Sequence, residues 1–167
     1  MSTTEFNAQF DSVTASLNAF AMNLTKDIEN ARDLFQETAV RALKNKEKFR
    51  PGTNFKAWIM TMMKNIFINN YRMRRRRKVQ NEPTGSLAFE RGDSFADNAA
   101  ESQITQKELM AMINRLDEQF RVPFWKYYTG FSYQEIADEL GKPLGTIKSR
   151  IFHARKKLQA MVNSNYV

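Results

Sequence analysis

The chain is 167 residues long, 42% hydrophobic and without cysteine, which excludes disulfides, thiolate nucleophiles and sulfur-bound zinc together. Lys and Arg number 26 against 18 acidic residues, and the resulting net charge of +8 favours a polyanionic partner. The opening Met1-Ser2-Thr3-Thr4-Glu5 lacks the basic and apolar runs of a secretory signal, and no stretch approaches the ~20 apolar residues of a membrane span, so a cytoplasmic protein without membrane insertion is expected.

In the first block Phe6, Phe10, Val13, Leu17 and Phe20 recur at spacings of four, three, four and three, one face of a helix. A second helix is expected after a cap at Thr25 or Asp27, with Ile28, Ala31, Phe35, Ala39, Ala42 and Leu43 turned inward. Arg50-Pro51-Gly52-Thr53-Asn54 breaks the pattern, and Thr53 or Asn54 is placed to cap a third helix. That helix carries Phe55, Trp58, Ile59, Met62, Ile66, Phe67 and Tyr71 on one face, where Trp58 reads as core. It runs straight into Arg72-Met73-Arg74-Arg75-Arg76-Arg77-Lys78, a cationic end projecting from a packed core. Taken alone, such a run suits nucleic acid and a disordered tail about equally.

From Val79 to Gln103 the composition changes. Five acids (Glu82, Glu90, Asp93, Asp97, Glu101) stand against one base, Arg91, and Pro83, Gly85 and Gly92 interrupt any period. The segment reads as a flexible acidic linker over 79–103 between helical domains at 1–78 and 104–167.

After a helix near Gln103–Ile113 and another from Leu116–Glu118 to Gly130, the strongest signal begins. Ser132 with Glu135 forms a capping box, Ile136, Ala137 and Leu140 make the inner face of a short helix, and Gly141 stops it. Pro143 and Gly145 hold a turn, and a second helix starts near Thr146 with Ile147, Ile151, Ala154 and Leu158 buried. This is a helix-turn-helix, and its second helix shows Lys148, Ser149, Arg150, His153, Arg155, Lys156 and Lys157 outward. The chain contains no acidic residue from Lys142 onward, so this surface suits a DNA groove. The fold expected is all-α, two small helical domains of which the second is a helix-turn-helix.

Phe131-Ser132-Tyr133-Gln134-Glu135-Ile136-Ala137 followed by Gly145-Thr146-Ile147-Lys148-Ser149-Arg150-Ile151-Phe152-His153-Ala154-Arg155 resembles the C-terminal domain of bacterial RNA polymerase sigma factors of the extracytoplasmic-function group. Asp33-Leu34-Phe35-Gln36-Glu37 is similar to their polymerase-docking motif, and Phe49-Arg50 with Phe55-Lys56-Ala57-Trp58-Ile59 to the segment before their promoter-reading helix. The resemblance spans nearly the whole chain apart from the linker and the termini.

It implies a non-catalytic initiation factor that directs core RNA polymerase to promoters. Asp33, Leu34, Gln36 and Glu37 would bind the polymerase; by spacing alone, Asp33, Gln36 and Glu37 share a face that is merely solvated. Phe49, Arg50, Asn54, Phe55, Asn65, Arg72, Arg74, Arg75, Arg76 and Arg77 would engage an unstacked minus-ten strand, where aromatic and arginine side chains suit single-stranded DNA. Ser132, Thr146, Lys148, Ser149, Arg150, Phe152, His153, Arg155 and Lys156 would dock on the duplex minus-thirty-five element. The family usually has arginine where His153 stands, so one base or phosphate contact differs here. An anti-sigma factor is the further partner the resemblance implies; no cofactor or metal is, and the free protein is expected to be monomeric. Two alternatives come from other classes. A dimeric helix-turn-helix regulator lacks its dimerisation stripe, and a magnesium nuclease lacks a carboxylate cluster with ligand spacing.

Overall fold

Each helix of the N-terminal half starts at a cap that the local residues supply. In the computed structural model, which describes residues 1–81 and 105–165, α1 (Thr3–Thr25) opens on a capping box. The Ser2 hydroxyl accepts the Glu5 N–H at 3.1 Å, and the Glu5 carboxylate accepts the Ser2 N–H at 2.8 Å. Lys26 closes α1 in the left-handed conformation (φ 57), donating its N–H to the Met22 carbonyl at 2.9 Å. Asp27 then caps α2 (Ile28–Lys44) by accepting the Asn30 N–H at 2.8 Å, while Thr25 bonds back to the Ala21 carbonyl at 2.9 Å. A single 3-10 turn, Lys46–Lys48, leads to the loop before α3 (Phe55–Asn81), which Asn54 caps through the Ala57 N–H at 3.0 Å.

The three helices bury Leu17, Phe20, Ala21 and Leu24 of α1 against Ala31, Leu34, Thr38 and Ala42 of α2 and Ile59, Met63, Ile66 and Ile68 of α3. Burial contributes about 1.5–3 kcal/mol for each large apolar side chain. The inward face of α2 differs from the expected one, for Ile28 is 67% exposed and Leu43 is exposed too. Leu34 and Thr38 take their place. Thr38 fits there because its hydroxyl donates to the Leu34 carbonyl one turn back, at 2.7 Å, so no polar atom is stranded. α3 also runs to Asn81, into the segment expected to begin a linker at Val79. Residues 82–104, which hold the rest of that acidic segment, lie outside the described residues.

In the C-terminal half α4 (Gln106–Asn114) begins at a second capping box, Thr105 with Glu108, and α5 (Glu118–Thr129) ends at Gly130, φ 115. Ser132 and Glu135 form the third box at the head of α6 (Tyr133–Leu140), and Gly141, φ 61, ends that helix. α7 (Leu144–Asn165) starts two residues earlier than the expected Thr146. Pro143 precedes its first turn, where a missing N–H costs nothing, and its carbonyl accepts the Ile147 N–H at 3.1 Å. Gly145 therefore lies inside the helix and not in the turn.

Ile147, Ile151, Ala154 and Leu158 of α7 are buried as the spacing predicts. Ala154 and Leu158 pack with Met112, Ile113 and Leu116, while Phe131, Ile136 and Ala137 are buried beneath the turn. A Lys126–Glu139 ion pair at 2.8 Å joins α5 to α6. The fold is all-α in two compact units, with no strand among the described residues. No described helix is long and apolar enough to cross a membrane.

Candidate nucleic-acid interface

The loop before α3 stands on an aromatic floor. Phe49 and Phe55 meet edge to face at 5.3 Å, each ring also touches Trp58, and Phe6 of α1 packs on Phe55 at 5.6 Å. Phe10 carries the cluster on to Phe35 of α2 at 5.7 Å. Expected as base-stacking residues, Phe49 and Phe55 are each only 8% exposed, and their rings are spent on packing. Above them Arg50, Pro51, Gly52, Thr53 and Asn54 are all exposed. Pro51 and Gly52 (φ 85) occupy the middle of a tight turn in which the Arg50 carbonyl accepts the Thr53 N–H at 3.2 Å and its hydroxyl at 2.7 Å. Arg50 thus sits at the rim of a rigid corner. The Asn54 side chain is committed to its cap.

Along α3 one face carries the exposed Asn65, Asn69 and Arg76 and the half-buried Arg72, at helical spacings that align them. Asn69 was not among the expected site residues, and only this periodicity marks it. Beyond Tyr71 the arginines do not keep to one side. Arg74, Arg76 and Arg77 are exposed and Arg72 and Arg75 half-buried, so cationic side chains surround the helix end.

On α2, Asp33 and Gln36 are exposed, but Leu34 is 5% exposed and belongs to the core, so its side chain offers nothing to a partner. Glu37 is half-exposed and already engaged. Its carboxylate accepts from Arg41 at 2.6 Å and from Asn70 of α3 at 3.1 Å. Val40 and Leu43, exposed apolar residues that a periodicity count assigned to the core or passed over, share the helical face of Asp33 and Gln36, and Ile28 is exposed at the start of the helix.

α7 is ordered differently. Its buried row leaves Ser149, Phe152, His153 and Lys156 on the opposite face, all exposed, with Lys148 and Arg155 along one flank and Thr146 and Arg150, half-buried, along the other. Phe152 is 52% exposed, with the Lys156 ammonium 4.7 Å from its ring centre and His153 packed edge-on at 5.6 Å. The Lys157 ammonium lies 4.7 Å from the Phe120 ring and 3.6 Å from Asp117. Ser132, expected at the DNA, has its hydroxyl occupied by the Glu135 N–H at 3.1 Å, and the Glu135 carboxylate, 2% exposed, accepts the Ser132 N–H at 2.7 Å. Its part in the site is to fix where α6 begins. No group of three or more His, Asp or Glu is spaced to hold a metal among the described residues.

A short helix, a tight turn and a long helix with an acid-free outer face define a helix-turn-helix DNA-binding protein. Residues 106–158 match the family described as Sigma-70, region 4, and residues 10–77 match Sigma-70 region 2. The chain is 35% identical over 159 residues to the ECF RNA polymerase sigma factor EcfG of Rhodopseudomonas palustris, covering 88% of this chain and 79% of that one. It is 32% identical over 156 residues to the ECF RNA polymerase sigma factor SigL of Mycobacterium tuberculosis, covering 91% of this chain and 85% of that one. Among solved structures, the sigma factor RpoE of Bartonella quintana, crystallised with the anti-sigma factor NepR, is similar at 29% identity and a TM-score of 0.47, covering 95% of this chain and 97% of that chain. The chain belongs to the extracytoplasmic-function sigma factors of the sigma-70 family. Its function is promoter recognition for transcription initiation with RNA polymerase.

Proposed function

We propose that the two units divide promoter recognition between them. The unit of α4–α7 docks α7 in the major groove of the duplex minus-thirty-five element, with Lys148, Ser149, Phe152, His153 and Lys156 toward the base edges and Arg150, Arg155 and Thr146 toward the backbone. The unit of α1–α3 binds core polymerase through Asp33 and Gln36 and meets the opened minus-ten strand with Arg50, Asn65 and the arginine run, over a floor of Phe49 and Phe55. Ser132 and Asn54 serve these surfaces by capping α6 and α3, and Leu34 by packing beneath. The observation that carries this reading is the outer face of α7, where the row opposite the buried Ile147, Ile151, Ala154 and Leu158 contains no acid.

The protein acts in the bacterial cytoplasm as a monomer when free, catalyses no reaction itself and needs no cofactor. An anti-sigma factor that restrains it is the regulatory partner family membership leads us to propose. The test is transcription in vitro with purified core polymerase on a promoter library. Enriched start sites should share two spaced elements and disappear when Lys148 and Ser149 are both replaced by alanine. Initiation that needs no such elements would refute the reading.

A further inference from the structure

Glu37 of α2 is half-exposed, and the division of promoter recognition gives it no task. One carboxylate oxygen, Oε1, accepts from the Arg41 guanidinium at 2.6 Å, and the other, Oε2, accepts from the side-chain amide of Asn70 on α3 at 3.1 Å. Arg41 follows Glu37 by four residues, one helical turn on, so the ion pair holds the carboxylate in the conformation that reaches α3. Asn70 stands where the core of this unit ends. It lies four residues beyond Ile66, on the side of α3 that carries the buried Ile59, Met63 and Ile66. From Tyr71 to Val79 no residue of α3 is buried.

Apolar packing therefore stops setting the course of α3 near Asn70. Arg76 lies six residues further on, about 9 Å along the axis at ~1.5 Å per residue, so a small change of angle at Asn70 moves it most. A hydrogen bond to a carboxylate is among the stronger ones available to a neutral amide, and this one joins α2 to α3 at that point. We propose that Glu37 is a positioning residue for strand recognition and not a contact for polymerase. Steadied by Arg41, it clasps Asn70 and sets the angle at which α3 carries Asn69, Arg72 and Arg76 to the opened minus-ten strand. The proposal rests on the reading that α3 meets that strand. It separates Glu37 from Asp33 and Gln36, which keep the polymerase contact.

The test is a double-mutant cycle on the full-length protein with two readouts. One is its affinity for core polymerase. The other is the affinity of the holoenzyme for a single-stranded oligonucleotide selected by the wild type from a random pool, measured beside a scramble of it. Asn70→Asp sets a second carboxylate against that of Glu37 and is expected to weaken strand binding roughly three- to ten-fold. Adding Glu37→Gln restores the net charge and reverses the bond, an amide on α2 now donating to a carboxylate on α3. Strand affinity should then return to within about two-fold of wild type. Core affinity should hold throughout the cycle, while Asp33→Ala lowers it. Weaker core binding in Glu37→Gln but not in Asn70→Asp would overturn the proposal by showing a polymerase contact. Wild-type strand binding in Asn70→Asp would overturn it too. So would a loss that the second substitution leaves in place, since the new charge would then act on the strand itself. Wild-type holoenzyme that binds the selected and scrambled strands alike would sink the minus-ten reading. Loss and rescue on both strands would in that case leave the clasp standing, and their absence would end it.

Discussion

α3 and α7 each carry a strongly basic stretch, yet the two stretches are built on opposite plans. From Arg72 to Lys78 the cations of α3 follow one another without regard to helical phase, and no residue there is fully buried. Along α7 a buried row recurs at three- and four-residue spacing, and the cations sit at set angles to it, four of them against aromatic rings. Positive charge alone gives affinity for phosphates in any sequence. Only cations and polar groups held in a fixed orientation can discriminate base edges. The proposed division gives grip to α3 and readout to α7, and each half of it can be broken separately.

The largest effect should come from removing what orients α7. Ile147→Ala opens a cavity beneath the helix at a side chain that is fully buried, and should lower the stability of the α4–α7 unit by about 2–5 kcal/mol in urea denaturation. Arg76→Ala, at an exposed site on α3, should change stability by less than about 0.5 kcal/mol. Similar losses from both would mean that α3's end is packed in solution.

Next in size is the head of α6. Ser132→Ala removes the acceptor for the Glu135 N–H and strips a partner from the box around a buried carboxylate, so thermal melting should report a loss of about 0.5–2 kcal/mol. Weaker DNA binding should follow only to the extent that folding is lost.

Gly145 sharpens the contrast between stability and readout. A Cβ built there meets nothing within 4 Å, and its backbone is not in the left-handed region, so the helix does not need a glycine. Gly145→Ala should stabilise the unit by about 0.4–1 kcal/mol, measured by thermal melting. If the bare backbone serves close approach to DNA, the same variant should bind a promoter duplex more weakly. Unaltered binding would assign the glycine no role in the groove.

The smallest effect concerns Lys26, the one non-glycine residue with positive φ among the described residues. Lys26→Gly relieves the left-handed strain at the end of α1 and should raise the melting temperature of the α1–α3 unit slightly, by up to about 1 kcal/mol of stability. DNA and polymerase binding should not change.

Much of this architecture is legible in the residues because caps and buried rows are local. The Ser132 box, the Gly141 stop and the α7 row all follow from short-range chemistry, and all are present. The errors arise where one residue type suits two environments. Apolar spacing on α2 admits several phases, and the face that won includes Thr38, which helical periodicity reads as polar but which satisfies its own hydroxyl. Leu34 sits in a motif that resemblance alone assigns to a partner, and its burial depends on the packing of the helices, which a motif cannot display. Phe49 and Phe55 look alike as stacking platforms and as core rings; six aromatic residues drawn from α1, α2, the loop and α3 decide for the core. The stacking of Tyr127 of α5 on Tyr133 of α6, ring centres 4.7 Å apart, is invisible in one dimension because the two residues come from different helices.

The division between grip and readout is tested most directly by holoenzyme binding to two ligands, a duplex minus-thirty-five element and a single-stranded minus-ten oligonucleotide. Lys148→Ala should weaken the duplex by roughly 1–3 kcal/mol and leave the single strand unaffected, whereas Asn65→Ala should do the reverse. Arg76→Gln with Arg77→Gln should flatten the salt slope of promoter binding by about one to two units while sequence preference holds. Equal losses on both ligands from either single substitution, or an unchanged slope in the double variant, would contradict the account.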